Sequence, residues 1–417
     1  MSSSHRRSPL LAAGCAVVAV ATAAAAPAWA DPAPSYETLL GRIGQTPVNV
    51  EAGALLDAAE ARVRQARVRP NPQLGLSVDG VLGSGPYDGY SNAETSLAVT
   101  QDLELWGRRS ARVEVARGEA GAAALRRDLA GVDAAGRLAL VYAEAEAADR
   151  RFQLAKEALT ITLADARAAL LLVEEGREPL LRGIQAETEA ASARASQDEA
   201  GAEREAAFAR LTATAMLPTA VTSIDAGVLD RTPSASEPSG SISPVVRVAE
   251  AERDTAERRI RVERINARPN VSASVGVRRY EAEDATALTF GVSMPLPLFD
   301  RNRGNIQAAQ AEFRAAEARL DGARLEEAAD RSAALARLNA SVSRVGATDA
   351  GVTSAEEAYR LSRLGFEAGR ISQLELRASR AALISARTAA VDARLARVRA
   401  EIDLARLQGR IPFGAAL

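Results

Sequence analysis

The chain has 417 residues, 47% of them hydrophobic and 25% charged, and its 52 Lys+Arg against 54 Asp+Glu leave a formal net charge of −2. That balance argues against nucleic acid as a partner. His5 and Cys15 are the only histidine and cysteine, so the chain after residue 15 has no disulfide, no Ser–His–Asp or Cys–His pair, and no imidazole or thiolate metal site. No cofactor is implied, and a non-enzyme is favoured.

Residues 1–30 read as a secretory signal. His5, Arg6 and Arg7 give a basic start, Leu10 to Ala26 an apolar stretch, and Ala28-Trp29-Ala30 a cleavage site before Asp31. A lipoprotein signal at Ala12-Ala13-Gly14-Cys15 is the alternative, disfavoured because few apolar residues precede Cys15 and the apolar run continues past it. Beyond residue 30 there is no run of 18 apolar residues, hence no expected transmembrane helix. An exported chain of this kind is soluble, surface-attached or a β-barrel.

A helix is expected over Glu51 to Val68, leading into two strands. Leu74, Leu76 and Val78 alternate with Gln73, Gly75, Ser77 and Asp79; Leu97, Val99, Leu103 and Leu105 alternate with Ser96, Thr100, Asp102 and Glu104. Period-two alternation is the strand signature. From Gly107 to Glu175 no proline occurs, and apolar residues recur at three- and four-residue steps, as in Leu125, Leu129, Val132, Ala135, Ala139 and Tyr142. Some 65 residues of helix reach on the order of 100 Å. The helix must break at Glu174-Glu175-Gly176-Arg177-Glu178-Pro179, with Gly176 at the C-terminal turn. A second helix then runs to Leu217-Pro218.

The chain next says the same thing again. WGRRSARVEVARGEAGAAAL at Trp106 returns as FDRNRGNIQAAQAEFRAAEARL at Phe299, and EEGREPL around Gly176 as EAGRISQL around Gly369. Both offsets are 193 (299 − 106 and 369 − 176). ARVRPNPQLGLSV at Pro70 pairs with INARPNVSASVGV at Pro269 at an offset of 199. A helix over Val245 to Ala267 precedes strands in which Val271, Ala273, Val275 and Val277, then Phe290, Val292, Met294, Leu296 and Leu298, form apolar faces. A long helix from Gly304 to Phe366, a break at Glu367-Ala368-Gly369-Arg370 and an N-cap at Ser372 complete the copy. The boundaries are therefore a signal over 1–30, a first repeat over 31–218, a linker over 219–243 exposed from Asp230 to Pro244, and a second repeat over 244–417. A period this long excludes a solenoid.

Strands of about ten residues with one apolar face suit an outer-membrane barrel. Trp106 and Phe299 close equivalent strand ends, where interfacial aromatics belong. Four strands cannot close a membrane barrel, whose smallest examples use about eight, and open edges are not tolerated in hydrocarbon. If the strands span a membrane, several protomers share one barrel.

These residues resemble the TolC-type outer-membrane efflux family, and more narrowly its cation-efflux, CzcC-like branch. The resemblance rests on MPLPLFDRNRGNIQAAQAE (Met294 to Glu312), on QDLELWGRRSARVEVA (Gln101 to Ala116), and on the two Gly-centred breaks. It implies a mainly α fold with a membrane β-barrel portion: a homotrimer whose 12-stranded barrel in outer-membrane lipid continues as an α-helical barrel across the periplasm. It further implies a passive conduit for heavy-metal cations, docked on a periplasmic adaptor and driven by an inner-membrane transporter of the resistance–nodulation–division class. In this reading Trp106, Pro295, Pro297, Phe299, Asp300, Arg301 and Asn302 form the strand-to-helix motif, with Asp300 or Asn302 capping the helix. Gly176, Arg177, Gly369 and Arg370 form the docking tips. Glu174, Glu175, Glu178 and Glu367 are candidate gate charges, paired with the tip arginines and favouring cations over anions. Drug efflux, type I protein secretion and a periplasmic coiled-coil adaptor are the alternatives.

Overall fold

A computed structural model describes residues 32–232 and 242–413. Cys15, Ala30 and Asp31, on which the leader expectations fall, lie outside the described residues, as do residues 233–241 of the linker. The order is α1 (Tyr36–Leu40), α2 (Pro47–Arg67), β1 (Gln73–Asp79), β2 (Glu94–Asp102), α3 (Arg108–Glu174) and α4 (Leu180–Thr214). The second copy gives α5 (Pro244–Asn266), β3 (Ser272–Tyr280), β4 (Ala285–Ser293), α6 (Arg303–Glu367) and α7 (Gln373–Leu407). At 67 and 65 residues, α3 and α6 each extend about 100 Å.

The four strands form one antiparallel sheet in the order β1-β2-β3-β4. Register aligns the alternating patterns. Leu76 lies opposite Leu97, Leu97 opposite Val277, and Val277 opposite Leu288. Residues facing each other across antiparallel strands share a side, so the apolar sets of all four strands merge into one face. Gly75, Ala98, Gly276 and Thr289 line up on the other. Phe290 and Val292 are each 78% exposed, and among the described residues no helix packs on the sheet to more than a marginal extent.

The strands are shorter than their alternation suggests. β2 stops at Asp102 and β4 at Ser293, before Leu105 and Leu298. In the first copy Glu104 and Trp106 take positive φ (+41° and +66°), which turns the chain out of the sheet. In the second, Pro295 and Pro297 carry no N–H with which to extend the ladder.

The main core lies far from the sheet, around the middle of α3. Tyr36 and Tyr142 are fully buried and meet edge to face, ring centroids 6.2 Å apart. Their hydroxyls donate to the carbonyls of Pro412 and Ala226 at 2.8 and 2.7 Å. Burial raises the pKa of both phenols, pushing Tyr142 up to about 12 and Tyr36 higher still. Part of the segment expected as linker belongs to this core, since Val221, Val228 and Leu229 are buried within it. Ser243, also expected to be exposed, is buried. Glu146 explains this packing. Its carboxylate accepts the N–H groups of Val228 and Leu229 at 2.6 and 3.1 Å and pairs with Arg150, so the crossing segment is clamped to α3.

Candidate functional site

Two places carry the chemistry expected of a conduit: the exits from the sheet, and the far ends of the hairpins.

At the first exit, Trp106 donates from Nε1 to the Pro269 carbonyl at 3.1 Å, and the Arg268 guanidinium lies 5.4 Å from the ring centroid. Arg112 ties this exit together. It pairs with Glu104 at 2.6 Å and donates to the carbonyls of Ala66 and Val68 at 3.1 Å each. Those carbonyls end α2, where helical partners run out. Leu103 adds a backbone bond to the Val271 carbonyl at 2.9 Å. The first exit is thus held by its own repeat through Arg112 and by the second repeat through Trp106 and Leu103.

Among the described residues, the second exit has no comparable hydrogen bond to the other repeat. Residues 292–300, including Pro295 and Pro297, are all exposed, and Phe299 is 99% exposed. Arg301 makes no ion pair among the described residues. Asn302 occupies the N-cap position of α6, but its side chain makes no cap hydrogen bond. Instead it donates to the Glu263 carbonyl and carboxylate at 2.9 and 2.8 Å, tying α6 to the end of α5 as Arg112 ties α3 to α2. Asp300 does serve the turn, accepting the Asn302 N–H at 2.8 Å.

At the far ends, Gly176 and Gly369 take φ of +70° and +67°. Each ends its helix with the paired bonds of a Schellman turn. Gly176 N–H donates to Val173 and Arg177 N–H to Leu172 at 3.0 and 2.9 Å; Gly369 donates to Phe366 and Arg370 to Gly365 at 2.9 and 2.8 Å. Pro179 stands at the N-cap position, just before α4. Ser372 and Glu375 form a capping box at the start of α7.

The tip charges pair locally. Arg177 meets Glu175 at 3.3 Å, Glu178 meets Arg182 at 3.2 Å, and Glu367 meets Arg363 at 3.7 Å. Glu174 and Arg370 make no ion pair among the described residues. The two hairpins are joined by other residues: Arg182 donates to Gln373 at 2.7 Å, Arg377 pairs with Glu189 and Arg380 with Asp165. Leu180, Leu181, Ile184 and Leu374 stand exposed beside them, and Leu181 and Leu374 are again 193 apart.

The family profile described as outer membrane efflux protein matches residues 50–215 and 241–410. The chain belongs to that family. Among relatives, the nickel-cobalt-cadmium resistance protein NccC of Alcaligenes xylosoxydans is 38% identical over 79% of this chain and 76% of its own. The nickel and cobalt resistance protein CnrC of Cupriavidus metallidurans is 37% identical over 73% of this chain and 74% of its own. The outer membrane protein VceC of Vibrio cholerae shares the fold, with a TM-score of 0.76 at 21% identity over 90% of this chain and 96% of its own. As an outer membrane efflux protein, the chain resides in the outer membrane and extends into the periplasm, which sets the adaptor alternative aside.

Sequence reading missed the Arg112 staple, the Glu146 clamp and the hairpin ties. Arg112 binds carbonyls 44 and 46 residues away, and Glu146 binds amides 82 and 83 residues away; no local pattern announces either. Leu181 and Leu374 were findable, being apolar at matching places in the two breaks.

Proposed function

We propose that the chain is one third of a passive outer-membrane conduit for heavy-metal cations. Three four-stranded sheets supply the 12 strands of one barrel, and six hairpins continue it through the periplasm. The observation that carries this reading is a sheet with an uncovered apolar face and two unpaired edges. In water such a sheet is an aggregation site; in lipid, with its edges paired to further copies, every backbone group is satisfied. Exposed Tyr87 and Tyr90 in the β1–β2 loop, with Trp106 and Phe299 at the opposite end, give aromatics at both interfaces.

The conduit works without a catalytic residue. Its inner face is the small and polar side of the strands, and its docking surface is the pair of Gly-centred tips with exposed Leu181 and Leu374. A periplasmic adaptor seats on these tips and links the channel to an inner-membrane transporter of the resistance–nodulation–division class. Tip pairs such as Glu178–Arg182 compete with the adaptor for the same groups, which makes opening a matter of exchanging weak exposed ion pairs. The names of the relatives support nickel, cobalt and cadmium as cargo.

A valine at φ near +70° is a steric outlier. Gly176→Val with Gly369→Val is therefore expected to abolish adaptor crosslinking and nickel, cobalt and cadmium resistance, while heat-modifiable trimers persist in outer-membrane fractions. Wild-type resistance and crosslinking in that variant refute the tip assignment. Resistance that falls for organic toxicants but not for metals refutes the cargo.

A further inference from the structure

Hairpin register shows that the duplication is accurate to the residue. Gln73 pairs with Thr100 in the first hairpin and Ser272 with Ser293 in the second; 73 + 199 = 272 and 100 + 193 = 293. β1 therefore maps onto β3 at 199 and β2 onto β4 at 193. The sheet also contains one join between repeats, the β2–β3 pair, in which Val99 lies opposite Val275 and Thr100 opposite Ser274. What remains open is the free edge of β4 and the free edge of β1, which are the same two kinds of edge.

We propose that the seam between neighbouring protomers repeats the β2–β3 join, so that β4 pairs with β1 of the next copy with Val292 opposite Leu76 and Ser293 opposite Gly75. The positions follow by carrying each strand over: 99 + 193 = 292 with 275 − 199 = 76, and 100 + 193 = 293 with 274 − 199 = 75. This rests on the multimeric-barrel reading and adds to it a register. Face matching alone excludes only odd shifts, since a one-residue slip turns apolar side chains to the water side. The duplication chooses among the even ones.

Two independent observations fit. First, the β2–β3 join has its narrow bonds at odd positions of β2, because Leu103 donates to Val271 and Ala93 accepts from Glu281. Antiparallel strands alternate the neighbour to which successive residues bond. Carried over, the seam-facing positions of β4 and its extension are even numbered, so Pro295 and Pro297 turn their missing N–H groups away from the seam. The exposed segment after β4 can thus run along the next copy through Met294 and Leu296, as Leu103 runs along Val271. Second, the intrachain helical join carries an ion pair, Arg151 with Asp392 at 2.6 Å. Its counterparts, Arg344 (151 + 193) and Glu199 (392 − 193), are exposed, of opposite sign and without an ion pair in the protomer among the described residues. A second copy gives each its partner.

Thr100–Ser274 is a non-hydrogen-bonded pair on the polar face, and such pairs hold their Cα atoms about 4.5 Å apart, near the short end of the disulfide range. The test is Ser293→Cys with Gly75→Cys in the full exported chain, whose only native cysteine, Cys15, lies in the expected leader. A Cβ at Gly75 meets nothing closer than the Ala98 carbonyl at 3.9 Å. Mild oxidation is expected to convert most of the chain into trimers that survive boiling in SDS and revert to monomers with reductant. Each single variant stays uncrosslinked, as does Ser293→Cys with Ser77→Cys, whose diagonal separation of about 7–8 Å exceeds disulfide reach. A bond in the shifted pair and none in the first overturns the register. Unboiled trimers in every variant, with no bond in the first pair, overturn the register while leaving the channel reading intact; a wild type without unboiled trimers removes both. A disulfide adduct whose mass is not a multiple of this chain assigns the edge to another protein and overturns the proposal.

Discussion

α3 and α6 are copies of one element, nearly equal in length and aligned at 193, yet the protein treats them differently. α3 buries 19 of its 67 residues and α6 only five of its 65. Val132 is 9% exposed, whereas its counterpart Leu325 is 74% exposed. The cause is neighbours rather than sequence. α3 packs on α2 and α4 of its own repeat and on α5 and α7 of the other, while α6, among the described residues, packs chiefly on α5 and α7. In the shared channel proposed above, an apolar residue on the free side of α6 finds its core in another copy. The same asymmetry marks the sheet exits, where Trp106 is bonded to the second repeat and Phe299 stands in the open.

The sharpest way to break this comparison is at Glu146, which has no acidic counterpart; position 339 is an exposed asparagine. Glu146→Ala orphans the buried N–H groups of Val228 and Leu229, each worth roughly 1–3 kcal/mol. A loss of about 3–5 kcal/mol is expected, read as an earlier loss of helical circular dichroism on heating in detergent. Asn339→Ala is expected to stay within about 0.5 kcal/mol of wild type. Equal effects of the two would show that the repeats carry the same load. Gly227→Val tests the same clamp from the other side, because its first side-chain carbon would sit almost on the Glu146 carboxylate.

Much of this was legible from residues alone. Offsets of 193 and 199, read from Trp106, Gly176 and Pro70, reappear in the strand registers. The faces assigned to Leu74, Leu97, Val275 and Phe290 are the faces found. Gly176, Gly369 and Ser372 announced their turns because left-handed backbone and N-caps demand particular residue types. Repetition and period are local in pattern even when the structure is large. What stayed hidden is held by long-range pairs. Arg397, nearly buried, donates to the carbonyls of Leu229 and Arg231, and nothing near residue 397 encodes that. At the candidate tips the turn formers were readable, but the residues joining the hairpins, Arg182, Arg377 and Arg380, were not.

A smaller effect separates the repeats at their inner helix ends. α7 ends on Gly409 at φ +68°, while α4 ends on Met216 at φ +49°, again 193 residues apart. A side chain in the left-handed region costs about 1–2 kcal/mol, which glycine avoids. Gly409→Ala is therefore expected to cost about 2 kcal/mol, the more so because its Cβ would lie 2.7 Å from Pro244 Cγ. Met216→Gly is expected to gain about 0.5 kcal/mol, part of the relief being offset by a freer unfolded chain. Thermal midpoints of the two variants that move in the same direction would contradict the equivalence of these turns.

The smallest expected effect concerns the crossing between repeats. Asp230 accepts both guanidinium nitrogens of Arg150 on α3, one at 3.1 Å, and meets Arg394 on α7 at 3.2 Å. The counterparts of these arginines are Ser343 and Gly201, so this ion triad belongs to the join within the chain and has no equivalent in the proposed join between copies. Hydrogen bonding from Arg150 is the largest influence on the Asp230 carboxyl; burial opposes it, and the charges of Arg150, Arg394 and Arg397 add to it, so the group is held below its ordinary value. A depressed carboxylate contributes stability that is fully present above its unfolded pKa, about 3.9, and that is lost as pH falls through the folded value. The Asp230 side chain is 62% exposed, so solvent screening limits the contribution to about 0.5 kcal/mol. Asp230→Asn should melt slightly below wild type at pH 7 and 5, and the two should converge as pH is lowered towards 3. A gap that instead widens in acid would mean that the pair with Arg150 is incidental, and that the crossing segment is held by Glu146 and Arg397.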